Sequence, residues 1–91
     1  MANNKKGNPW ILTDAENITS NPQKINYMEW IPNAAADDLT ILDCAGNTIW
    51  DVDAIAPGTA GKEKFDPGEI YIANGFNLSV IDGGTLYVYR R

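Results

Sequence analysis

Five aspartates lie close together in the middle of the chain and could support metal binding or acid–base chemistry. They are Asp37, Asp38, Asp43, Asp51 and Asp53. Calcium prefers clustered carboxylates, and a carboxylate pair can hydrolyse a glycosidic bond. The calcium-loop spacing D-x-D-x-D-G is absent, and so small a domain has little room for a sugar cleft. We interpret these aspartates as turn caps and as a solvated acidic rim, and we expect no metal and no cofactor.

The other residue types needed for catalysis are missing or poorly placed. The chain has no histidine, which is the commonest general base and zinc ligand. Its one cysteine, Cys44, is flanked by Asp43 and Ala45, which provide neither a cation nor a helix terminus to favour a thiolate. A single cysteine also excludes an internal disulfide. We therefore expect that the protein is not an enzyme.

Aromatic and large aliphatic residues are the remaining candidates for a binding site. Such side chains can form a sugar platform, anchor a protein interface or fill a core, and the sequence alone does not separate the first two roles. One apolar triplet stands alone in a polar N-terminal segment, and two tyrosines lie near the C-terminus. The predicted partner-binding residues are Trp10, Ile11, Leu12, Tyr87 and Tyr89.

Length and charge limit the possible partners. A chain of 91 residues is expected to form one domain with a modest core, and oligomerisation often stabilises domains of this size. The formal net charge of −5 disfavours binding to a phosphate backbone. No run approaches the roughly 18 apolar residues of a membrane span, and the first residues are not typical of a secretory signal. We expect neither nucleic acid nor membrane as a partner.

The first 23 residues differ in composition from the rest of the chain. Asparagine is frequent, two prolines interrupt the segment, and one short apolar patch lies between them. This composition is typical of an extended arm whose apolar patch docks on its own domain or on a neighbour. The sequence thus predicts an extended N-terminal arm over residues 1–23 and a single β-sandwich domain over residues 24–91.

Short strand-like runs separated by turn residues dominate the remaining sequence. Residues 24–31 alternate, with Ile25, Tyr27 and Ile31 predicted on one side and Met28 and Trp30 on the other. No amphipathic helix is evident. The pattern predicts an all-β fold, a small antiparallel β-sandwich or barrel.

A hairpin is predicted over residues 38–52. Leu39 and Ile41 alternate with polar residues, and the chain then reverses at Asp43 to Asn47. We expect Gly46 to take the left-handed conformation and Asp43 to accept hydrogen bonds from the amides of the turn.

The strongest strand signal lies at residues 69–90. Three apolar runs are separated there by Asn74-Gly75 and Gly83-Gly84, dipeptides that suit tight hairpin turns. The segment predicts a three-stranded antiparallel meander. In that register both faces of the meander are apolar, so either both faces are covered or one turn holds an extra residue and the register shifts. In a chain this short, a neighbouring subunit is the expected cover of the second face.

Three segments resemble small virion proteins of tailed bacteriophages. Those proteins typically show an Ile-x-Trp strand, a strand-Asp-x-x-Gly-x-x-Leu/Ile-Trp hairpin and a terminal Gly-Thr-Leu-Tyr-Val-Tyr strand. The matching segments here are residues 28–31, 39–50 and 84–89, and the resemblance covers residues 25–89. It implies a non-enzymatic β-domain of the phage particle, similar to capsid decoration (cement) proteins in size and acidity.

The resemblance and the sequence features lead to one expectation of function and one alternative. The expectation is a decoration protein, made in the host cytoplasm, that stabilises the head by binding the major capsid protein as a homo-oligomer on the virion surface. The alternative is a carbohydrate-binding module that recognises the host surface through exposed tryptophan and tyrosine. A saturable fluorescence change on adding host glycans would favour the alternative.

Overall fold

The computed structural model describes residues 3–65 and 70–90, and it shows an all-β protein. In this described part of the chain, nine strands form two antiparallel sheets that enclose a common core, as the sequence predicts. Within these residues the helical structure is one 3-10 turn, Gly58–Gly61. The strands are β1 Trp10–Leu12, β2 Glu16–Thr19, β3 Gln23–Ile31, β4 Asp38–Leu42, β5 Thr48–Asp53, β6 Glu63–Phe65, β7 Ile70–Ile72, β8 Phe76–Ile81 and β9 Thr85–Arg90.

Each sheet combines strands that are distant in the sequence. The five-stranded sheet has the order β1-β9-β3-β6, and β7 also pairs with β3. The four-stranded sheet has the order β2-β8-β4-β5. The first and last strands of the chain, β1 and β9, are therefore neighbours, and β8 and β9 lie in opposite sheets.

The predicted C-terminal meander is wrong. β7 pairs with β3, β8 pairs with β2 and β4, and β9 pairs with β1 and β3, so no two of the three strands are paired. Asn74-Gly75 and Gly83-Gly84 connect one sheet to the other instead of closing hairpins. The predicted start of the meander, Glu69, lies outside the described residues.

This topology also removes the need for a second subunit as a cover. Phe76 and Leu78 of β8 and Leu86 and Val88 of β9 are all fully buried. In one flat meander these pairs would point to opposite faces, but in two opposed sheets they point toward each other. The chain itself therefore covers these four side chains, whereas the tyrosines of the predicted meander remain at the surface.

Both glycine dipeptides lie close to the backbone of another strand. Gly75 and Gly84 have φ angles of 92° and 83°, in the left-handed region that glycine tolerates. A Cβ at Gly75 would overlap the carbonyl oxygen of Thr19, and one at Gly84 would overlap that of Ile31. These turns thus need glycine for its φ angle, as predicted, and also because the adjacent strand of the same sheet leaves no room for a Cβ.

The N-terminal segment is part of the sandwich. β1 lies at one edge of the five-stranded sheet and β2 at one edge of the four-stranded sheet. Trp10 and Leu12 are 5% and 0% exposed and belong to the core. The expectation of an extended arm over residues 1–23 is not confirmed. The apolar patch was expected to dock on its own domain or on a neighbour, and in the structure Trp10 and Leu12 pack in the core of their own domain.

The central hairpin follows the prediction closely. β4 pairs with β5, and Gly46 in the turn has a φ angle of 92°. The carboxylate of Asp43 accepts hydrogen bonds from the backbone amides of Ala45 (3.0 Å) and Asn47 (2.8 Å). It also accepts the side-chain amides of Asn47 and Asn74, which joins this turn to the one that precedes β8.

β3 supplies the centre of the core, although its predicted faces need a correction. Met28 and Trp30 are fully buried, and the indole N–H of Trp30 donates to the carbonyl of Gly83 at 3.0 Å. Ile25 is buried with them, whereas it was predicted to share a side with Tyr27. A β-bulge between Ile25 and Tyr27 adds a residue and reverses the alternation at that point.

Candidate functional site

The outer face of the five-stranded sheet carries most of the tyrosines of the chain. Trp10, Val88 and Met28 are paired across the sheet and buried, so they point inward. Side chains alternate along a strand, so the next residues point outward. These outward residues are Ile11, Tyr87, Glu29 and Lys64 in one row, Tyr89 and Tyr27 in another, and Tyr71 with Lys24 at the edge.

We call this surface the tyrosine face, and its aromatic members are Tyr27, Tyr71, Tyr87 and Tyr89. Tyr71 is 63% exposed, and the other three are half-buried. Ile11 extends the surface onto β1 and is 37% exposed. A sheet face turned to solvent is normally polar, so a row of tyrosine and isoleucine side chains marks this face as a candidate interaction surface.

Two of the tyrosines are stacked. The rings of Tyr27 and Tyr89 lie 4.4 Å apart between centroids, with 16° between their planes. Partial burial, together with the neighbouring Tyr27 and Glu29, raises the pKa of Tyr89 above its usual value. The Tyr89 hydroxyl therefore keeps its proton at neutral pH and is able to donate a hydrogen bond.

A single carboxylate on this face is shared by two lysines. Glu29 lies 3.6 Å from the ammonium of Lys62 and 3.7 Å from that of Lys64. Lys24 lies on the same face beside Tyr71. Among residues 3–65 and 70–90, the tyrosine face therefore carries more positive than negative charge, although the whole chain is acidic.

The five predicted partner-binding residues separate into two groups. Ile11, Tyr87 and Tyr89 lie together on the tyrosine face, with Ile11 and Tyr87 directly paired across β1 and β9. Trp10 and Leu12 point the other way and are buried in the core. The ring of Trp10 packs edge-on against Phe76 at 5.6 Å, and the guanidinium of Arg90 lies 4.5 Å from its centroid.

Sequence reasoning missed Tyr27 and Tyr71 as members of this surface. Tyr27 was placed with Ile25 because the bulge in β3 leaves no trace in the alternation. Tyr71 was placed in the meander, whereas β7 joins β3 at the edge of the five-stranded sheet. No local signal reveals these neighbours, because strand pairing between distant segments brings them together.

The outer face of the four-stranded sheet is acidic. Asp38 and Asp53 are directly paired across β4 and β5, and Asp51 is paired with Thr40, whose hydroxyl donates to it at 3.1 Å. Asp82 follows β8, and its amide donates to the carbonyl of Asp38. We call these four carboxylates the aspartate face. The strands of this sheet contain no lysine or arginine.

The crowding of carboxylates changes the titration of one of them. A hydrogen bond with the Asp53 carboxyl and the charge of Asp53 raise the pKa of Asp38 to about 6, and Asp82 and Asp51 add to the effect. The carboxylates are nevertheless too dispersed to chelate an ion: residues 3–65 and 70–90 contain no group of three or more side chains able to hold a metal.

Two other features near the N-terminal strands have local explanations. An open depression of about 380 Å³ is lined by residues 3–6. Its Lys5 ammonium pairs with Glu16 at 2.6 Å, so that charge is already balanced. Cys44 is exposed, and its thiol lies 3.4 Å from the side-chain oxygen of Asn17 and from the carbonyl of Thr19. Neither feature supplies an activated nucleophile.

Comparison with known protein families, with curated proteins and with solved structures finds no match to this chain. In the part of the chain that the structure describes, no helix has the length and apolar character needed to cross a bilayer. The geometry of the two outer faces therefore carries the functional argument.

Proposed function

We propose that this protein is a non-catalytic structural protein that binds other protein surfaces through its tyrosine face. The observation that carries the proposal is that Ile11, Tyr87 and Tyr89 share one outer face with the exposed Tyr71. Tyrosine offers a large apolar area and a polar hydroxyl at little entropic cost, so it is enriched at protein interfaces. The described part of the chain gathers no comparable set of groups for bond making or breaking.

The phage resemblance suggests the setting for this binding. We place the protein on the virion, as a decoration protein that binds the major capsid protein and acts as a homo-oligomer. Many weak contacts repeated over a particle give high avidity without a large interface in each copy. The extended N-terminal arm and the doubly apolar meander that the sequence predicted no longer support this role. The tyrosine face replaces them as the physical basis of binding.

Particle binding by two matched variants tests the proposal. Tyr71→Ala removes the most exposed side chain of the tyrosine face, while Ile55→Ala removes an 81% exposed side chain from the loop after β5. Both should leave the fold intact, since neither side chain is in the core. In sedimentation with purified phage heads, Tyr71→Ala should bind at least about fivefold more weakly, and Ile55→Ala should bind like the wild type. Equal binding by all three proteins would refute the proposal.

A carbohydrate-binding function is the second candidate, and the exposure of Tyr71 favours it. A ring that is 63% exposed can stack on a sugar. The tryptophans are less suitable than the sequence suggested, because Trp10 and Trp30 are buried and Trp50 stacks on Phe65 at 5.4 Å. Saturable chemical-shift changes at Tyr71 on adding host glycans would support this candidate, and silence across a broad panel would exclude it.

A further inference from the structure

The two outer faces of the sandwich carry opposite excess charge. Among the described residues of the tyrosine face, Lys62 and Lys64 flank one carboxylate, Glu29, and Lys24 lies beside Tyr71 near the start of β3. On the aspartate face, four carboxylates lie on a sheet whose strands contain no lysine or arginine. The faces lie on opposite sides of the molecule because they belong to opposed sheets.

The faces also differ in their hydrogen-bonding chemistry. Lysine ammonium groups and tyrosine hydroxyls donate hydrogen bonds, and the tyrosine face carries both. Ionised aspartates only accept hydrogen bonds, and they form the aspartate face. Donors on one surface and acceptors on the other are the complement that one protein surface needs to bind another.

Association of like with like would not use this complementarity. Two aspartate faces would place eight carboxylates against each other, and two tyrosine faces would oppose their lysines. Such like-charge contacts are unfavourable. A contact between the tyrosine face of one copy and the aspartate face of another brings the lysines of one against the carboxylates of the other.

We propose that copies of this chain associate head to tail, with the tyrosine face of one copy bound to the aspartate face of the next. The inference rests on the proposed function in taking the tyrosine face as a protein-binding surface, and it names a second copy as the occupant. A head-to-tail contact leaves one free face at each end, so it builds rings or open chains instead of closed two-fold dimers. A tyrosine face bound to a second copy is not free to bind the capsid protein, so the two partners compete for this face.

The state of Asp38 agrees with this arrangement. Its raised pKa reflects carboxylates that face one another, from β4, β5 and the residue after β8, with no cation among them. A lysine from a second copy would supply the missing countercharge. The Asp53 and Asp51 side chains are exposed and so are accessible to such a lysine.

Two double variants test the proposal, and each replaces two charged side chains of one face with neutral ones. Lys62→Gln/Lys64→Gln weakens the tyrosine face, and Asp51→Asn/Asp53→Asn weakens the aspartate face without changing side-chain shape. Analytical ultracentrifugation over a range of concentrations at low salt should show that the wild type associates beyond a dimer. Each variant alone should associate about tenfold or more weakly, because each contact then loses two charge pairs. Far-UV circular dichroism controls for folding.

An equimolar mixture of the two variants is the decisive measurement. Each variant keeps one intact face, so a head-to-tail contact predicts a complex of one copy of each that grows no further. A wild type that stays monomeric at all concentrations would overturn the inference, as would variants that associate as well as the wild type or a mixture that forms no complex. Particle binding is measured separately: a wild type that does not self-associate, although particle binding depends on Tyr71, would reject this inference and leave the proposed function standing.

Discussion

Leu12 and Ile11 provide a direct test of where the N-terminal segment belongs. They are neighbours in β1, and Leu12 is 0% exposed in the core while Ile11 is 37% exposed on the tyrosine face. We expect Leu12→Ala to destabilise the protein strongly and Ile11→Ala to destabilise it weakly. The same two substitutions in a solvated arm would have nearly equal and negligible effects.

The magnitudes follow from burial. Removing a fully buried leucine side chain costs about 2–5 kcal/mol, because contacts are lost and a cavity remains. Ile11→Ala leaves no cavity and should cost about 1 kcal/mol. A domain of this length has a stability of about 5–14 kcal/mol, so the loss at Leu12 is a large fraction of the total. It corresponds to a fall in Tm of at least about 10 °C.

Urea denaturation followed by circular dichroism and tryptophan fluorescence measures both variants. A difference of about 2 kcal/mol between Leu12→Ala and Ile11→Ala is expected. Removal of residues 1–23 should prevent folding, since it deletes β1 and β2, one edge strand from each sheet. A truncated protein that unfolds cooperatively, or a Leu12→Ala variant as stable as Ile11→Ala, would refute the placement of β1 in the core.

Three further predictions concern titration and backbone geometry. The pKa of Asp38 in the folded protein is about 6, above its unfolded value. Its contribution to stability is therefore present below the unfolded pKa and is lost as the pH rises through about 6. Urea denaturation at a series of pH values measures this decline, and Asp53→Asn should remove it. Hydrogen bonds from Asn47 lower the pKa of Asp43, so its contribution to stability is present above the unfolded value of 3.8 and is lost in acid. Asp43→Asn should therefore destabilise the protein at neutral pH. A difference in stability between this variant and the wild type that persists unchanged in acid would contradict this. Gly46→Ala should cost about 1–2 kcal/mol, because Gly46 has a positive φ angle. Gly84→Ala should destabilise the protein far more, because Gly84 has a positive φ angle and also faces a backbone oxygen. Similar unfolding midpoints for the two variants would contradict the close packing at Gly84.

Much of the local structure could be predicted from the sequence. The β4–β5 hairpin combines alternating Leu39 and Ile41 with turn residues that act within a few positions of one another, and it forms as expected. Met28 and Trp30 were predicted on the same side of their strand, and both are fully buried. Only half of the tyrosines of the candidate site could be predicted from the sequence, namely Tyr87 and Tyr89. Tyr27 and Tyr71 join them through a bulge and a distant strand pairing.

The sequence by itself determined the strands within residues 24–52 and 70–90, the glycines in their turns and the surplus of aspartate. These properties depend on residues close together in the chain, through side-chain alternation and allowed φ angles. Only the tertiary structure decided which strands are neighbours, because alternation defines two sides of a strand without saying which side meets the core. Burying both apolar sets at once required β8 and β9 to separate into opposed sheets, and the same choice left the tyrosines outward on one sheet and the aspartates outward on the other.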